Sequence, residues 1–136
     1  MKEKPEYICK CMMIIDDNDI DRYIAKKVIS HEQFCDNVLA YGNPVDALQY
    51  LRHHQDDMDA LPMIILLDIY MPEMSGFEFM ECYNQLSEAL KKYCEVYIIS
   101  STIDPHDLTR AAIDKNVAAL HVKPIDSAFL SSLRNK

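Results

Sequence analysis

The sequence predicts a single α/β domain in which a sheet of five parallel strands is covered by helices on both faces. Short apolar runs alternate with amphipathic stretches along all 136 residues. Three of the runs are continuously apolar, as is typical of strands that are buried on both sides. Because strand and helix patterns alternate five times, we expect parallel strands that are joined by right-handed crossovers.

The five apolar runs give the predicted strands. The second run is short and weakly apolar, which favours a position at the edge of the sheet. If the strands follow the order 2-1-3-4-5, the first and third strands are neighbours. The runs are residues 11–15, 38–41, 63–67, 96–99 and 118–122.

Each stretch between the runs has apolar residues at helical spacing. In the first stretch, Ile20, Tyr23 and Ile24 fall on one stripe. Another helix is predicted to continue from Gly76 to a point before Lys92. The remaining helices are expected to start near Asn18 or Asp19, at Asn43-Pro44, at Asp104-Pro105 and near Asp126, because these residues can cap or open a helix.

The charge of the chain limits the classes of partner. Acidic residues outnumber basic residues by 22 to 14, which gives a formal net charge of -8. This sign disfavours nucleic acid and anionic membranes as partners, because both bind clustered cations. It suits a protein that holds cations or meets basic surfaces.

The cysteines and the N-terminus indicate a cytoplasmic protein. The five cysteines are odd in number and form no C-x-x-C pair, so we expect reduced thiols rather than disulfides or a zinc site. Residues 1–7 lack the apolar stretch of a signal peptide, and no apolar run approaches the roughly 20 residues that span a bilayer. We expect an N-terminal extension at residues 1–10 and one domain at residues 11–136.

Residues that can carry chemistry follow four of the predicted strands. Asp16 and Asp17 follow the first strand, Asp68 the third, Ser100 the fourth and Lys123 the fifth. The carboxyl ends of parallel strands meet at one edge of the sheet, where the functional crevice of such folds lies. In the order 2-1-3-4-5 three carboxylates converge, and two carboxylates at about 4 Å already repel by roughly 4 kcal/mol. A set of oxygen ligands that needs a cation indicates Mg²⁺.

Each of these residues also has an ordinary structural explanation. Asp17 could cap a helix and Asp68 could precede a turn. Ser100 could be a small residue at a strand end, and Lys123 could be a solvated cation. Their joint occurrence at one edge of the sheet favours a functional site.

The segment around Asp68 carries a specific motif. Residues 67–76 read Leu-Asp-Ile-Tyr-Met-Pro-Glu-Met-Ser-Gly, which fits the pattern D-x-x-M-P-x-M-x-G. With the acidic pair Asp16-Asp17 and the pair Lys123-Pro124, each after an apolar strand, the chain resembles the response-regulator receiver domain of two-component signalling. The resemblance extends from residue 11 to residue 136 and implies a flavodoxin-like (βα)5 fold with strand order 2-1-3-4-5.

The resemblance implies a phosphorelay function. Asp68 resembles the phosphoacceptor, which takes a phosphoryl group from the phosphohistidine of a sensor histidine kinase or a histidine phosphotransfer protein. The domain is then a switch that changes the binding of a downstream protein target, and its only reactions are its own phosphorylation and dephosphorylation. No nucleic acid or membrane partner is expected.

The resemblance also implies roles for the residues around the acceptor. Asp16 and Asp17 resemble the acidic pair that holds Mg²⁺ together with one acceptor oxygen and the backbone carbonyl of Tyr70. Ser100 and Lys123 resemble the hydroxyl and the ammonium that contact phosphoryl oxygens. The metal and Lys123 would neutralise charge on a loose, metaphosphate-like transition state.

Three further positions bear on the resemblance. The bond before Pro124 is expected to be cis, and Gly76 is expected to adopt a backbone conformation that is closed to residues with a Cβ. Leu120 stands where many members of the family carry Tyr or Phe, so the resemblance does not imply their coupling of an aromatic rotamer to Ser100.

Two other functions fit part of the pattern. A phosphatase of the haloacid dehalogenase type also uses an aspartate nucleophile at a strand end, but it needs a second aspartate at the position of Tyr70. A pseudo-receiver would bind partners without phosphorylation. The intact Asp17, Asp68 and Lys123 disfavour this reading, whereas Leu120 keeps it open.

Overall fold

The computed structural model describes residues 9–134 and shows a sheet of five parallel strands. The strands are β1 (Cys9–Ile15), β2 (Cys35–Tyr41), β3 (Ile64–Asp68), β4 (Glu95–Ser100) and β5 (Val117–Val122). Their order in the sheet is β2-β1-β3-β4-β5, which confirms the predicted order and the place of β2 at an edge. Most of the predicted N-terminal extension, residues 1–8, lies outside the described residues.

Six helices connect or follow these strands. They are α1 (Asp19–His31), α2 (Pro44–His53), α3 (Gly76–Tyr83), α4 (Glu88–Tyr93), α5 (Pro105–Ile113) and α6 (Ser127–Arg134). The side chains of Asn18, Asn43 and Asp104 cap α1, α2 and α5, as the sequence predicts. None of these helices is long and apolar enough to cross a membrane.

The prediction of a single helix between Gly76 and Lys92 is wrong, because this segment forms the two helices α3 and α4. The first ends at Tyr83, and the Ser87 side chain accepts a hydrogen bond from the backbone N–H of Leu90 to cap the second. Tyr83, Leu86 and Leu90 are all buried. Their spacing of three and four residues continues the helical pattern across the break, which hides the break in the sequence.

Two apolar layers hold the helices against the sheet. On one face, strand residues such as Leu67 and Ile98 pack with residues of α2, α3, α4 and α5. On the other face, Leu66 and Ile99 pack with α1 and α6, and Phe129, Leu130 and Leu133 of α6 are buried there. Burial on both faces explains the continuous apolar runs of β1, β3 and β4. It also fixes the positions of the residues at the carboxyl ends of these strands.

The apolar stripe of α1 lies on the surface of the protein. Ile20, Tyr23 and Ile24 are 68%, 62% and 44% exposed, whereas Ala25 and Ile29 are the residues of this helix that are buried against the sheet. The helical spacing predicts the helix correctly, but the periodicity alone does not say which of two apolar faces contacts the core.

Candidate functional site

The predicted site residues lie together at the carboxyl edge of the sheet. Asp68 is the last residue of β3, whose neighbours are β1 and β4. Asp16 directly follows β1, Ser100 ends β4, and Lys123 directly follows β5. Because the three central strands are parallel and in register at this end, their carboxyl ends place these side chains around Asp68.

Three carboxylates form a compact acidic group. Asp16, Asp17 and Asp68 each offer one oxygen, and these oxygens all lie within 4.8 Å of one another. Asp16 and Asp68 are buried, whereas Asp17 is exposed. The Asp16 carboxylate also accepts a hydrogen bond of 2.9 Å from the backbone N–H of Asn18. The convergence that the strand order predicts is therefore present in the structure.

The surroundings of Asp68 favour its protonated form. Burial, followed by the nearby Asp16 carboxylate, raises the pKa of Asp68 from 3.8 to about 6, although the Lys123 ammonium opposes the shift. At pH 7 and above the carboxyl group is ionised in spite of this. A charged, partly desolvated carboxylate in this place suits both cation binding and nucleophilic attack.

Lys123 supplies the positive charge of the site. Its Nζ lies 2.9 Å from Asp16 Oδ2 and 3.6 Å from Asp68 Oδ1. The peptide bond to Pro124 is cis, as the resemblance implies, and the backbone N–H of Lys123 donates a hydrogen bond of 2.7 Å to the carbonyl of Ser100. Backbone and side chain together hold this ammonium at the strand end.

Asp21 is a site residue that the sequence reasoning missed. Its Oδ2 lies 2.7 Å from Lys123 Nζ, closer than either strand-end carboxylate. Burial lowers the pKa of Lys123, but the hydrogen bonds to Asp21 and Asp16 outweigh this effect and raise it. Asp21 stands in the first turn of α1, which starts at the same edge of the sheet where the strands end. That placement is the signal that could have identified it.

Arg22 fixes the backbone beside the acidic group. Its Nη1 donates a hydrogen bond of 2.7 Å to the carbonyl oxygen of Asp16, and its Nη2 pairs with Asp19 at 2.6 Å. The guanidinium passes directly over Gly42, where an added Cβ would lie 2.7 Å from Nη1. The small residue after β2 thus leaves room for Arg22.

Ser100 is the inner of the two adjacent serines at the end of β4. It is fully buried, and its Oγ accepts a hydrogen bond of 3.2 Å from the backbone N–H of Thr102. Ser101 is exposed. The strand register pairs Ile99 with Asp68, so Ser100 stands one residue beyond Asp68 on the neighbouring strand.

Tyr70 extends from the loop after β3 towards α5. Its side chain is 55% exposed, and its hydroxyl group donates a hydrogen bond to the carboxylate of Asp107 in the first turn of that helix. This hydrogen bond raises the pKa of Tyr70. The ring is therefore tied to α5 and does not point freely into solvent.

Gly76 is needed for a different reason from the predicted one. No described glycine has a positive φ, so the expectation of a backbone conformation closed to other residues is wrong. Instead, an added Cβ on Gly76 would lie 2.6 Å from the carbonyl oxygen of Asp68 and 3.0 Å from Ile69 Cα. The backbone N–H of Gly76 donates a hydrogen bond of 2.7 Å to the Ile69 carbonyl, which brings the start of α3 against the loop that follows β3.

The donor set determines what the site can bind. Carboxylate oxygens alone, with one exposed ligand at Asp17, suit a hard divalent cation that keeps part of its water shell, and they do not suit a soft metal. Lys123 Nζ lies 3.6 Å from Asp68 and Ser100 ends the neighbouring strand, so an ammonium and a hydroxyl are available to an anion at this end of the sheet. The residues present therefore fit Mg²⁺ together with a phosphoryl group on the central carboxylate.

Comparison with known proteins agrees with this geometry. The family model described as the response regulator receiver domain matches residues 12–133. A two-component response regulator from Cytophaga hutchinsonii is 25% identical, with a TM-score of 0.87 over 96% of each chain. A response regulator receiver protein from Dyadobacter fermentans is 30% identical, with a TM-score of 0.82 over 91% of this chain and 94% of that one.

A curated relative is longer than this chain. The two-component response regulator ORR1 of Oryza sativa subsp. japonica is 25% identical over 126 residues, which cover 91% of this chain and 53% of the relative. The chain thus spans about half the length of that protein.

Proposed function

The chain belongs to the response regulator receiver domain family, and we propose that it accepts a phosphoryl group on Asp68 from a phosphohistidine. The observation that carries this proposal is the position of Asp68, a buried carboxylate that lies beside two further carboxylates and 3.6 Å from the Lys123 ammonium. A receiver domain acts in phosphorelay signalling, and this arrangement is suited to that chemistry.

In the proposed reaction an Asp68 oxygen forms a bond to phosphorus while the phosphorus–nitrogen bond of the phosphohistidine breaks. The electron pair of the broken bond stays on the imidazole nitrogen. Since the pKa of Asp68 is raised only to about 6, the carboxylate is ionised and nucleophilic near neutral pH. Lys123 is placed to contact a phosphoryl oxygen as negative charge spreads over the transferred group.

We propose Asp16, Asp17, Asp68 and the backbone carbonyl of Tyr70 as the ligands of Mg²⁺. The three side chains fit this role because their oxygens lie within 4.8 Å of one another. When it is bound, the ion offsets charge on the phosphoryl oxygens. Arg22 supports the same function, since it holds the backbone at Asp16.

Ser100 is proposed to bind a phosphoryl oxygen through its hydroxyl group. In the structure its Oγ accepts a hydrogen bond from the Thr102 backbone N–H, which leaves its own hydroxyl proton to be donated. Its buried position at the end of β4, one residue beyond Asp68 in register, supports this role more than the exposed position of Ser101 does.

Receiver domains interact with histidine kinases and with downstream targets, and the surface of α1 suggests where the phosphodonor meets this chain. Ile20, Tyr23 and Ile24 form an exposed apolar stripe on the helix whose first turn carries Asp21, a contact of Lys123. We propose that a histidine kinase or a histidine phosphotransfer protein covers this stripe. Phosphorylation then changes the binding of a downstream protein, so the domain serves as a switch rather than as an enzyme with a separate substrate.

The proposed compartment is the cytoplasm. All five cysteines are free thiols, and four of them are buried. Free thiols are maintained in a reducing compartment such as the cytoplasm.

Intact-mass analysis after incubation with Mg²⁺ and acetyl phosphate tests the proposed function. We expect the protein to gain one phosphoryl group, and we expect no gain in Asp68→Asn or in the presence of a chelator. Asp36→Asn, which removes an exposed carboxylate at the start of β2, should be phosphorylated like the wild type. Phosphorylation of Asp68→Asn at another residue, or of the wild type without a divalent cation, would contradict the proposal.

A further inference from the structure

We propose that Asp21 is a positioning residue that holds Lys123 towards α1 in the resting site and competes with the phosphoryl group for its ammonium. This inference rests on the proposed phosphorylation of Asp68. It assigns a function to a carboxylate of α1, whereas the other site carboxylates lie at the ends of strands.

The distances around Lys123 show which partner its ammonium favours. The separations are 2.7 Å to Asp21, 2.9 Å to Asp16 and 3.6 Å to Asp68. The two shorter contacts are hydrogen-bonded ion pairs, whereas the contact to the proposed acceptor is longer than a hydrogen bond. The resting ammonium therefore contacts α1 and the end of β1 more closely than it contacts the residue on which the phosphoryl group would form.

The charges of the site explain why this preference matters. One ammonium faces three carboxylates, and Asp17 adds a fourth negative charge to the acidic group. Asp21 is the most exposed of the three partners of Lys123, with 37% of its side chain accessible, so water can solvate it when the ion pair opens. It is thus the partner that Lys123 can release at the smallest desolvation penalty.

The phosphoryl group and Asp21 make opposite demands on the ammonium. In the resting site Lys123 Nζ lies 3.6 Å from Asp68 Oδ1. A phosphoryl group on Asp68 would add negative charge close to this ammonium. A charge-assisted hydrogen bond to a phosphoryl oxygen draws the ammonium towards Asp68 and weakens its ion pair with Asp21. Removal of the Asp21 charge should therefore favour the phosphorylated state, because this competing ion pair is absent.

Asp21→Asn is the direct test, because asparagine keeps the size of the side chain and removes its charge. Binding of fluoroberyllate with Mg²⁺ to Asp68, followed by 19F NMR, reports the affinity for a phosphoryl analogue. We expect Asp21→Asn to bind about two- to fivefold more tightly than the wild type, which is the range for the loss of a partly exposed ion pair. Asp46→Asn is the matched control, since it removes an exposed charge from the first turn of α2 at the same edge of the sheet.

A second readout needs neither metal nor phosphoryl group. In the metal-free wild type, the Lys123 ammonium should give a 15N-edited NMR signal whose proton exchange is slowed by its two short ion pairs. Asp21→Asn should shift this signal and speed the exchange, and Asp46→Asn should leave it unchanged. A merely structural role of Asp21 would not change the Lys123 signal selectively.

The outcomes separate this inference from the proposed function. Tighter fluoroberyllate binding in Asp21→Asn, together with the changed Lys123 signal, is the expected result. Unchanged or weaker binding in Asp21→Asn, or equal gains in Asp21→Asn and Asp46→Asn, would overturn the inference while the wild type still bound the analogue. Failure of the folded wild type to bind fluoroberyllate with Mg²⁺ would overturn both.

Discussion

Replacement of Asp68 by asparagine is expected to stabilise the metal-free protein at neutral pH. Burial and the neighbouring Asp16 raise the pKa of Asp68 from 3.8 to about 6, against the effect of Lys123. The folded protein therefore binds this proton more tightly than the unfolded chain does. At pH 7.5 the folded wild type carries an unfavourable charge that Asp68→Asn lacks.

The size of the effect follows from the two pKa values. Each tenfold difference in proton affinity is worth about 1.4 kcal/mol. The difference between 3.8 and about 6 corresponds to about 3 kcal/mol in the free energy of unfolding at pH 7.5. For a domain of this length, such a gain raises the melting temperature by roughly 5–10 °C.

The pH dependence identifies the cause of the gain. Below about pH 3 the Asp68 carboxyl group is mostly protonated in both the folded and the unfolded state, so wild type and Asp68→Asn carry nearly the same charge there. As the pH rises from about 4 to about 6, the unfolded chain releases the proton first, and the wild type loses stability relative to the variant. The gain should therefore be small at pH 4 and complete above pH 6.

Urea unfolding followed by circular dichroism, with a chelator present, measures the gain at pH 4, 6 and 7.5. Asp36→Asn controls for the loss of one negative charge and should show no comparable gain. Addition of Mg²⁺ should narrow the difference, because the ion stabilises the folded wild type through an intact ligand set. Equal or lower stability of Asp68→Asn at pH 7.5, or a gain that persists unchanged at pH 4, would refute the electrostatic reasoning.

Three further predictions concern the metal, the lifetime of the phosphoryl group and the packing of the acceptor loop. Asp17→Ala should weaken Mg²⁺ binding in an NMR titration more than Ser100→Ala does, because only the first removes a ligand charge; equal affinities would remove Asp17 from the metal site. Tyr70→Asn should speed the decay of the phosphorylated protein after the donor is removed, because the phenol ring hinders the approach of water; an unchanged decay rate would exclude this shielding. Gly76→Ala should lower the free energy of unfolding by about 1–3 kcal/mol, because the added Cβ would lie 2.6 Å from the backbone oxygen of Asp68. In Gly42→Ala the added Cβ would meet the flexible end of the Arg22 side chain, so this control should lose less stability. Equal losses of stability in the two variants would contradict the packing argument.

The strand order and the strand-end residues could be predicted because both follow from local signals. Continuous apolar runs mark buried strands, and in a parallel sheet the residues after the strands meet at one edge. This rule predicts from the sequence alone that Asp16, Asp68 and Lys123 lie close together. The break between α3 and α4 could not be predicted in the same way, since Leu86 and Leu90 continue the apolar spacing across it.

The features that were missed depend on contacts between distant parts of the chain. Asp21 reaches Lys123 across 102 residues of sequence, and it belongs to a helix start rather than a strand end. The hydrogen bond between Tyr70 and Asp107 likewise joins the loop after β3 to α5. The exposed face of α1 is set by which of its two apolar faces meets the sheet, and spacing within one helix carries no information on that choice.

The electrostatics of Asp68 and of Lys123 work in the same direction. Burial and Asp16 raise the pKa of the proposed acceptor to about 6, and the Lys123 ammonium, which pairs with Asp21 at 2.7 Å, lies 3.6 Å from it. Both effects leave the Asp68 carboxylate with little compensating positive charge. The site therefore favours the binding of a cation. Divalent cation binding and ionisation of Asp68 are therefore linked, because each makes the other more favourable. A divalent cation that binds the folded protein would therefore offset the cost in stability of holding these carboxylates together.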